Sequence, residues 1–335
     1  MSFVEPSVER RSLRLFKQKT DGQSDTPAWL TILNSLFYVV VLLAVVAFGY
    51  YLYTFQRNQG LLTLYLPVLL DGARVTIIVS ILSLVLATIF GFIGALGRLA
   101  RFAPIRWLAM VYVEVVRGTP IFVQLLLWYY GVGYVLSTMG FDPYSAAFQV
   151  MTALQSNSLV PDQFNAYFYG IIGLSFNYGA YLTEVFRTGI ESVSKGQTEA
   201  ALSLGLNSRQ TMRHIVLPQA VRITIPPFTN YFITLIQDSA LLSVLGVTEL
   251  EETMGSFAYP LIDPNHKLFV FILGAMVYLA ICYPLSLLAR FLEARLGRAY
   301  QTSGEKIDAL KADMLTDDML GKQVVSFAED EGDTE

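Results

Sequence analysis

The stretch TEAALSLGLNSRQTMRHIVLPQA, residues 198–220, is polar, basic and rich in helix formers, yet it lies between two strongly apolar segments. Thr198 or Gln197 is placed to cap a short helix, Glu199 suits its first turn, and Ala200, Ala201, Leu202 and Leu204 carry it forward. Gly205 stands where a left-handed C-terminal cap belongs. Asn207 or Ser208 is placed to cap a second helix, which Pro218 interrupts. The expected shape is a helix–turn–helix loop presenting small residues outward, where a partner backbone can approach closely. Shape alone leaves two readings open, a protein-docking element or an amphipathic connector on a membrane.

The rest of the chain supplies the membrane. Of 335 residues, 54% are hydrophobic and 15% charged, and the mean hydropathy is +0.49. A soluble domain carries about 25% charge, so the chain reads as an all-α integral membrane protein. The lone Cys282 excludes a disulfide framework or cysteine metal site within one chain. A basic block, ERRSLRLFKQK, opens the sequence, and acidic blocks, ADMLTDDML and AEDEGDTE, close it. Beside an apolar segment the basic block reads as an orientation signal rather than a nucleic-acid site.

About six transmembrane helices are expected. They run over Leu30–Leu52, Val75–Leu96, Ile121–Leu136, Tyr167–Ile190, Ile223–Val247 and Leu268–Leu288. RFAPIRWLAMVYVEVVRGTP reads as an amphipathic segment near a membrane surface, broken by Gly118-Thr119-Pro120. Residues 138–165 form a polar loop with a short helix in PYSAAFQVMTALQ. Pro226 and Pro227 predict a fifth span that is kinked or starts beyond them. Lys and Arg concentrate at the N-terminus, around Arg98–Arg106, in the 191–222 loop and after Arg290. Both termini are therefore expected in the cytoplasm, with loops 54–74, 138–165 and 248–267 outside.

The pattern E-A-A, three residues, G, nine residues, I-x-L-P is met by Glu199, Ala200, Ala201, Gly205, Ile215, Leu217 and Pro218. With LLDGARVTIIVSILSLVLATIFG, YVEVVRGTPIFVQLLLWYYG, GAYLTEVFRTGIESVSKGQTEAALSLG and LIQDSALLSVLGVTEL, it resembles the permease subunits of polar amino-acid ABC importers of the histidine/glutamine/glutamate type. The resemblance covers about residues 68–296 and implies a type I importer permease-like core, with residues 191–222 as its EAA loop. Relative to that family, residues 29–53 are an extra N-terminal transmembrane helix. Residues 1–28 form a polar basic N-terminus and 297–335 an acidic tail.

The resemblance further implies that Glu199–Gly205 is a cytoplasmic coupling helix seated on a separate ATPase subunit. No G-x-x-x-x-G-K-[ST] occurs in the chain, so the ATP and Mg would be bound by that partner and no cofactor by this chain. The implied partners are ABC ATPases, a second permease subunit (a copy or a homologue), an extracytoplasmic solute-binding protein and membrane lipid. The implied location is the bacterial inner membrane, and the implied cargo a polar amino acid.

Charges inside spans need a reason, a cargo path or a structural contact within the bundle, since each costs roughly 2.5–3.5 kcal/mol to insert at mid-helix. Asp238 lies in the fifth span, and Glu184 and Arg187 lie in the fourth at i, i+3, close after Asn177, Tyr178 and Tyr181. A zwitterion needs an acceptor for its ammonium, which Glu184 or Asp238 offers, and donors for its carboxylate, which Arg187, Asn177 or hydroxyls offer. Glu184–Arg187 reads equally well as a structural ion pair. Glu114 and Arg117 repeat the spacing. An ion-gradient-driven transporter, a channel or a membrane scaffold would not need the docking loop.

Overall fold

The computed structural model of the protein describes residues 60–153, 161 and 163–296, with parts of 36–54. The described residues between 36 and 54 are helical and belong to a unit of their own, residues 1–63. The expected 29–53 helix lies partly, and the segments 1–28 and 297–335 wholly, outside the described residues. All regular structure among the described residues is helical.

Helix α1 (Leu61–Arg98) runs 38 residues, well beyond the expected Val75–Leu96. Asp71 and Arg74 interrupt its apolar run but stay exposed, so the helix carries them at no burial cost. One face (Ile77, Ile81, Val85, Ile89, Phe92) is bare and apolar, as a lipid-facing surface must be, while Thr76, Val79, Ser80, Ser83 and Ala87 turn inward. These small residues let α1 lie against helix α5 (Phe164–Glu191), half of whose 28 residues are buried. The approach is so close that a Cβ on Gly91 would stand 2.6 Å from Leu182 Cβ.

Between them lie α2 (Ala103–Arg117) and α3 (Ile121–Thr138), the latter close to the expected span Ile121–Leu136. The segment 101–120 packs against α5. Its first turns share a cavity with Arg187 and Glu191, Tyr112 donates 2.7 Å to the carbonyl of Phe176, and Arg117 ends beside Tyr181. Helix α2 thus runs antiparallel along α5 over some ten residues, roughly 15 Å. It is joined to α3 through the break at Gly118–Pro120. Inside α3, residues Leu127–Val132 form a π-helical turn.

Helix α4 (Pro143–Ala153) is the short helix expected in the polar loop. Asp142 orders its start by accepting from Ser145 N at 3.0 Å and from Asn165 Nδ2 at 2.6 Å. Helices α6 (Lys195–Ser203), α7 (Ser208–Leu245), α8 (Leu250–Ala258) and α9 (Pro264–Leu296) follow. By length and composition α1, α3 and α9 can cross a membrane, and α7 with α8, bent by 54°, counts as a fourth crossing if taken as one. Central α5 is long enough but too polar to be found this way, because its side chains serve the interior.

Proline behaves differently from expectation. Helix α7 neither ends at Pro218 nor begins after Pro227. A π turn over Met212–Val216 widens the backbone just ahead of Pro218, which then sits in the first turn of the regular part, Leu217–Asp238, with Pro226 and Pro227 inside it. The segment 248–267 is more than a polar loop. Its Glu249 is fully buried and caps α8, accepting from Glu251 N at 2.9 Å and Glu252 N at 2.8 Å, while Tyr278 Oη on α9 donates to it at 3.0 Å. The carboxylate thereby joins α8 to α9, with Thr76 of α1 donating to the α8 cap at 3.4 Å.

Candidate functional site

Two regions hold the residues singled out from sequence. The first is a cavity of about 440 Å³ where the α2–α3 break faces α5 and α7. Its walls are Arg117, Gly118, Thr119, Pro120 and Ile121 from the break, Asn177, Tyr178 and Tyr181 from α5, and Tyr231, Thr234 and Asp238 from α7. Four of the expected path residues, Asn177, Tyr178, Tyr181 and Asp238, therefore meet at one place.

The break between α2 and α3 frees backbone groups from the helical ladder. Here Gln124 satisfies them. Its amide donates to the carbonyls of Val116 (2.7 Å) and Thr119 (3.0 Å) and to Thr119 Oγ1 (2.8 Å), and its Oε1 accepts from Asn177 Nδ2 at 3.2 Å. Gln124 is 7% exposed. Sequence reasoning passed over it, although a lone amide in IFVQLLLWYYG four residues after a Gly-Thr-Pro break is the signal that marks it.

The cavity is electrically two-sided. Asp238 accepts from Tyr178 Oη at 2.7 Å, and the phenol holds the carboxylate in place without neutralising it. Arg117 supplies the opposite charge. It is not paired with Glu114; its guanidinium lies 5.2 Å from the centre of the Tyr181 ring. Tyr231 stands 5.4 Å from Tyr181 and 6.5 Å from Tyr178, completing a tyrosine wall. Such a site offers a cation acceptor, an anion donor and aromatic surface within one enclosure.

Glu184 and Arg187 lie elsewhere. Arg187 holds Glu184 with both ends of its guanidinium, Nε at 3.0 Å, and also pairs with Glu191. Arg98 of α1 approaches Glu184 at 3.9 Å. The cluster closes the ends of α1 and α5 and borders a second cavity rather than the tyrosine-walled one.

The second functional region is the loop after α5. Helix α6 begins at Lys195, three residues before Thr198, and has no side-chain cap. Gly205 has φ +86°. Leu206 N donates to Ala201 O at 3.2 Å and Gly205 N to Leu202 O at 3.0 Å, the paired bonds of a Schellman ending. Asn207, not Ser208, caps the next helix in a reciprocal box with Gln210. Glu199, Ala200 and Gly205 face outward, but Ala201 packs inward, and Leu204 stands 81% exposed. Gln219 Nε2 donates to Gln197 Oε1 at 2.6 Å and so ties α6 to α7. Ile215 is half-buried in the π turn, while Leu217 and Pro218 are exposed.

This architecture has known counterparts. Residues 87–298 match the family of binding-protein-dependent transport system inner membrane components. Over 232 residues the chain is 35% identical to the L-cystine transport system permease TcyB of Bacillus subtilis, covering 69% of this chain and 88% of the relative. It is 31% identical to the glutamine transport system permease GlnP of Escherichia coli, covering 69% and 94%. A crystal structure of an amino acid ABC transporter with histidines superposes with a TM-score of 0.57 at 29% identity, over 70% of this chain and 96% of that one. With a family model matched over most of its length and a relative 35% identical over two thirds of it, the chain belongs to the binding-protein-dependent transport system inner membrane components, the permease subunits of ABC importers.

Proposed function

We propose that this chain is the membrane subunit of an importer for polar amino acids, and that the cargo rests in the tyrosine-walled cavity. The observation that carries this reading is that Arg117 and Asp238, of opposite charge, line one cavity of about 440 Å³. The carboxylate of Asp238 receives the cargo ammonium, and Arg117 with Asn177 receives its carboxylate. Tyr178, Tyr181 and Tyr231 exclude water around the zwitterion. Glu184 and Arg187 keep the ends of α1 and α5 together and do not touch cargo. Relatives named for cystine, glutamine and glutamate/aspartate transport support the substrate class.

The Lys195–Ser203 helix seats on a partner ATPase, which holds the ATP and Mg. A second permease subunit, this chain or a homologue, completes the pathway, and a solute-binding protein delivers cargo from the outer side. Both termini then lie in the cytoplasm. Reconstitution tests the scheme: this chain, with an ATPase and a binding protein, is placed in liposomes with labelled amino acids. Uptake should require ATP and fall at least tenfold in Asp238→Asn. ATP-independent uptake driven by an ion gradient would overturn the importer; undiminished uptake in Asp238→Asn would overturn the cavity assignment alone.

A further inference from the structure

The second cavity, about 430 Å³, opens where α1 ends, α2 begins and α5 ends. Its polar lining is Arg98, Arg106, Arg187 and Glu191, and its apolar lining includes Trp107 and Met110. Three guanidinium groups face it, but only Arg187 is fully engaged, by Glu184 and Glu191. Arg98 reaches Glu184 only at 3.9 Å, and its Nε is buried without a hydrogen-bond partner. Arg106 is exposed and has no ion-pair partner among the described residues. A buried N–H left unmade is costly and rare. The cavity thus retains positive charge and an unused donor.

The rim has a different chemistry. Phe102, Ile105, Trp107 and Leu108 stand bare around the start of α2, Trp107 at 61% exposure. A tryptophan at the ends of apolar helices occupies the headgroup level of a bilayer. The ligand must therefore join an anionic head, matched to guanidinium forks, to an apolar body that lies on Phe102 and Leu108. Inorganic phosphate or a sugar phosphate has the head but nothing for the rim.

We propose that this cavity is a binding site for the phosphate headgroup of an anionic phospholipid. Arg98 and Arg106 donate to the phosphate, and Trp107 packs on the glycerol and upper acyl chain. The site lies at the same end of α5 as the arginine-rich 191–222 loop, the side where such basic pockets find anionic lipid. Because Arg98 is on α1 and Arg106 on α2, the bound lipid links these two helices beside the end of α5. The proposal is independent of the cargo and of the tyrosine-walled cavity.

Native mass spectrometry of the full chain released from mixed micelles tests it, using phosphatidylglycerol and phosphatidylcholine of equal acyl length. One phosphatidylglycerol should be retained in preference to phosphatidylcholine. Removing one arginine should weaken retention about fivefold, in Arg106→Gln, an exposed position where folding is not at stake, and also in Arg98→Gln. In vesicles, brominated phosphatidylglycerol should quench wild-type emission more than that of Trp107→Phe. Equal retention of the two lipids, or unchanged retention in Arg106→Gln, refutes the site. Displacement of phosphatidylglycerol by millimolar inorganic phosphate means a soluble anion is the ligand, and the lipid assignment fails. Absent quenching at Trp107 means another subunit covers the face, which also overturns it.

Discussion

Replacing Gln124 by Leu keeps the volume of the side chain and deletes its amide. Two groups then lose their partner outright, the carbonyl of Thr119 and Nδ2 of Asn177. Val116 O keeps a weak bond from Thr119 Oγ1 at 3.4 Å, and that hydroxyl keeps Val115 O at 3.0 Å, so neither is stranded. Asn177 Nδ2 is buried and costs about 1–3 kcal/mol when left unsatisfied, and the part-buried carbonyl of Thr119 less, so the substitution should cost roughly 2–4 kcal/mol. For a core of this size that lowers the thermal midpoint by roughly 5–15 °C. The assay is thermal unfolding of the detergent-purified chain followed by intrinsic fluorescence. Asn177→Ala, which leaves Gln124 Oε1 alone unpaired, should cost less than half as much. The double variant Gln124→Leu/Asn177→Ala should be milder than the sum, because the two residues share a bond. A Gln124→Leu midpoint within 2 °C of wild type would falsify the claim that this amide holds the α2–α3 break together.

Other perturbations address single features. Gly205→Val forces a β-branched residue to φ +86° and should cost about 1–2 kcal/mol at the α6 ending; ATPase stimulation in the assembled complex should fall while Gly205→Asn keeps most of it. Tyr178→Phe removes the 2.7 Å bond to Asp238 and should raise the KM for cargo severalfold with little change in thermal midpoint; an unaltered KM refutes a positioning role. Gly179→Leu drives a side chain into Phe90 Cβ and Tyr112 Oη, 2.6 and 2.8 Å from its Cβ, and should abolish folding where Gly179→Ala costs about 1–3 kcal/mol. Hydrogen bonds from Ser145 and Asn165 hold the Asp142 carboxyl below its ordinary value of 3.8. A depressed folded value means the contribution is intact above that pH and lost as pH falls through the lower folded value. Proteolysis of the 139–163 segment should therefore speed up only in strong acid, and Asp142→Asn should be fast at neutral pH.

The loop that decides the family was legible because its signals are local. Caps and a left-handed glycine depend on residues within a few positions of one another, and Gly205 and Asn207 do what their neighbours demand. The packing of α2 was not, because its charges answer to α5: Arg117 to Tyr181, Arg106 to the cavity beside Arg187. Hydropathy sees the charge and not the partner. Proline was misread at 218 for a related reason, since a π turn that relieves the ring clash leaves no mark on composition. At the site, Tyr178 and Asp238 were found as polar residues inside apolar runs, but their separation from Glu184 and Arg187 is a matter of which helix face meets which neighbour. Only three-dimensional packing assigns Glu184 to Arg98 and leaves Asp238 to Tyr178.

Helix α7 enters the 191–222 loop at Ser208 and carries Asp238 near its far end without a break. It is therefore a mechanical shaft with one end in each functional region. From Ser208 to Asp238 the shaft is about 45 Å long, so a 5° tilt at one end displaces the other by roughly 4 Å. That is wider than any hydrogen bond lining the cavity. Its most compliant point is the π turn at Met212–Val216, close to the loop end, which leaves the longer arm stiff. On the proposed function, a small tilt at the loop end would be geared up by this shaft before it reached the Asp238 carboxylate beside Tyr178.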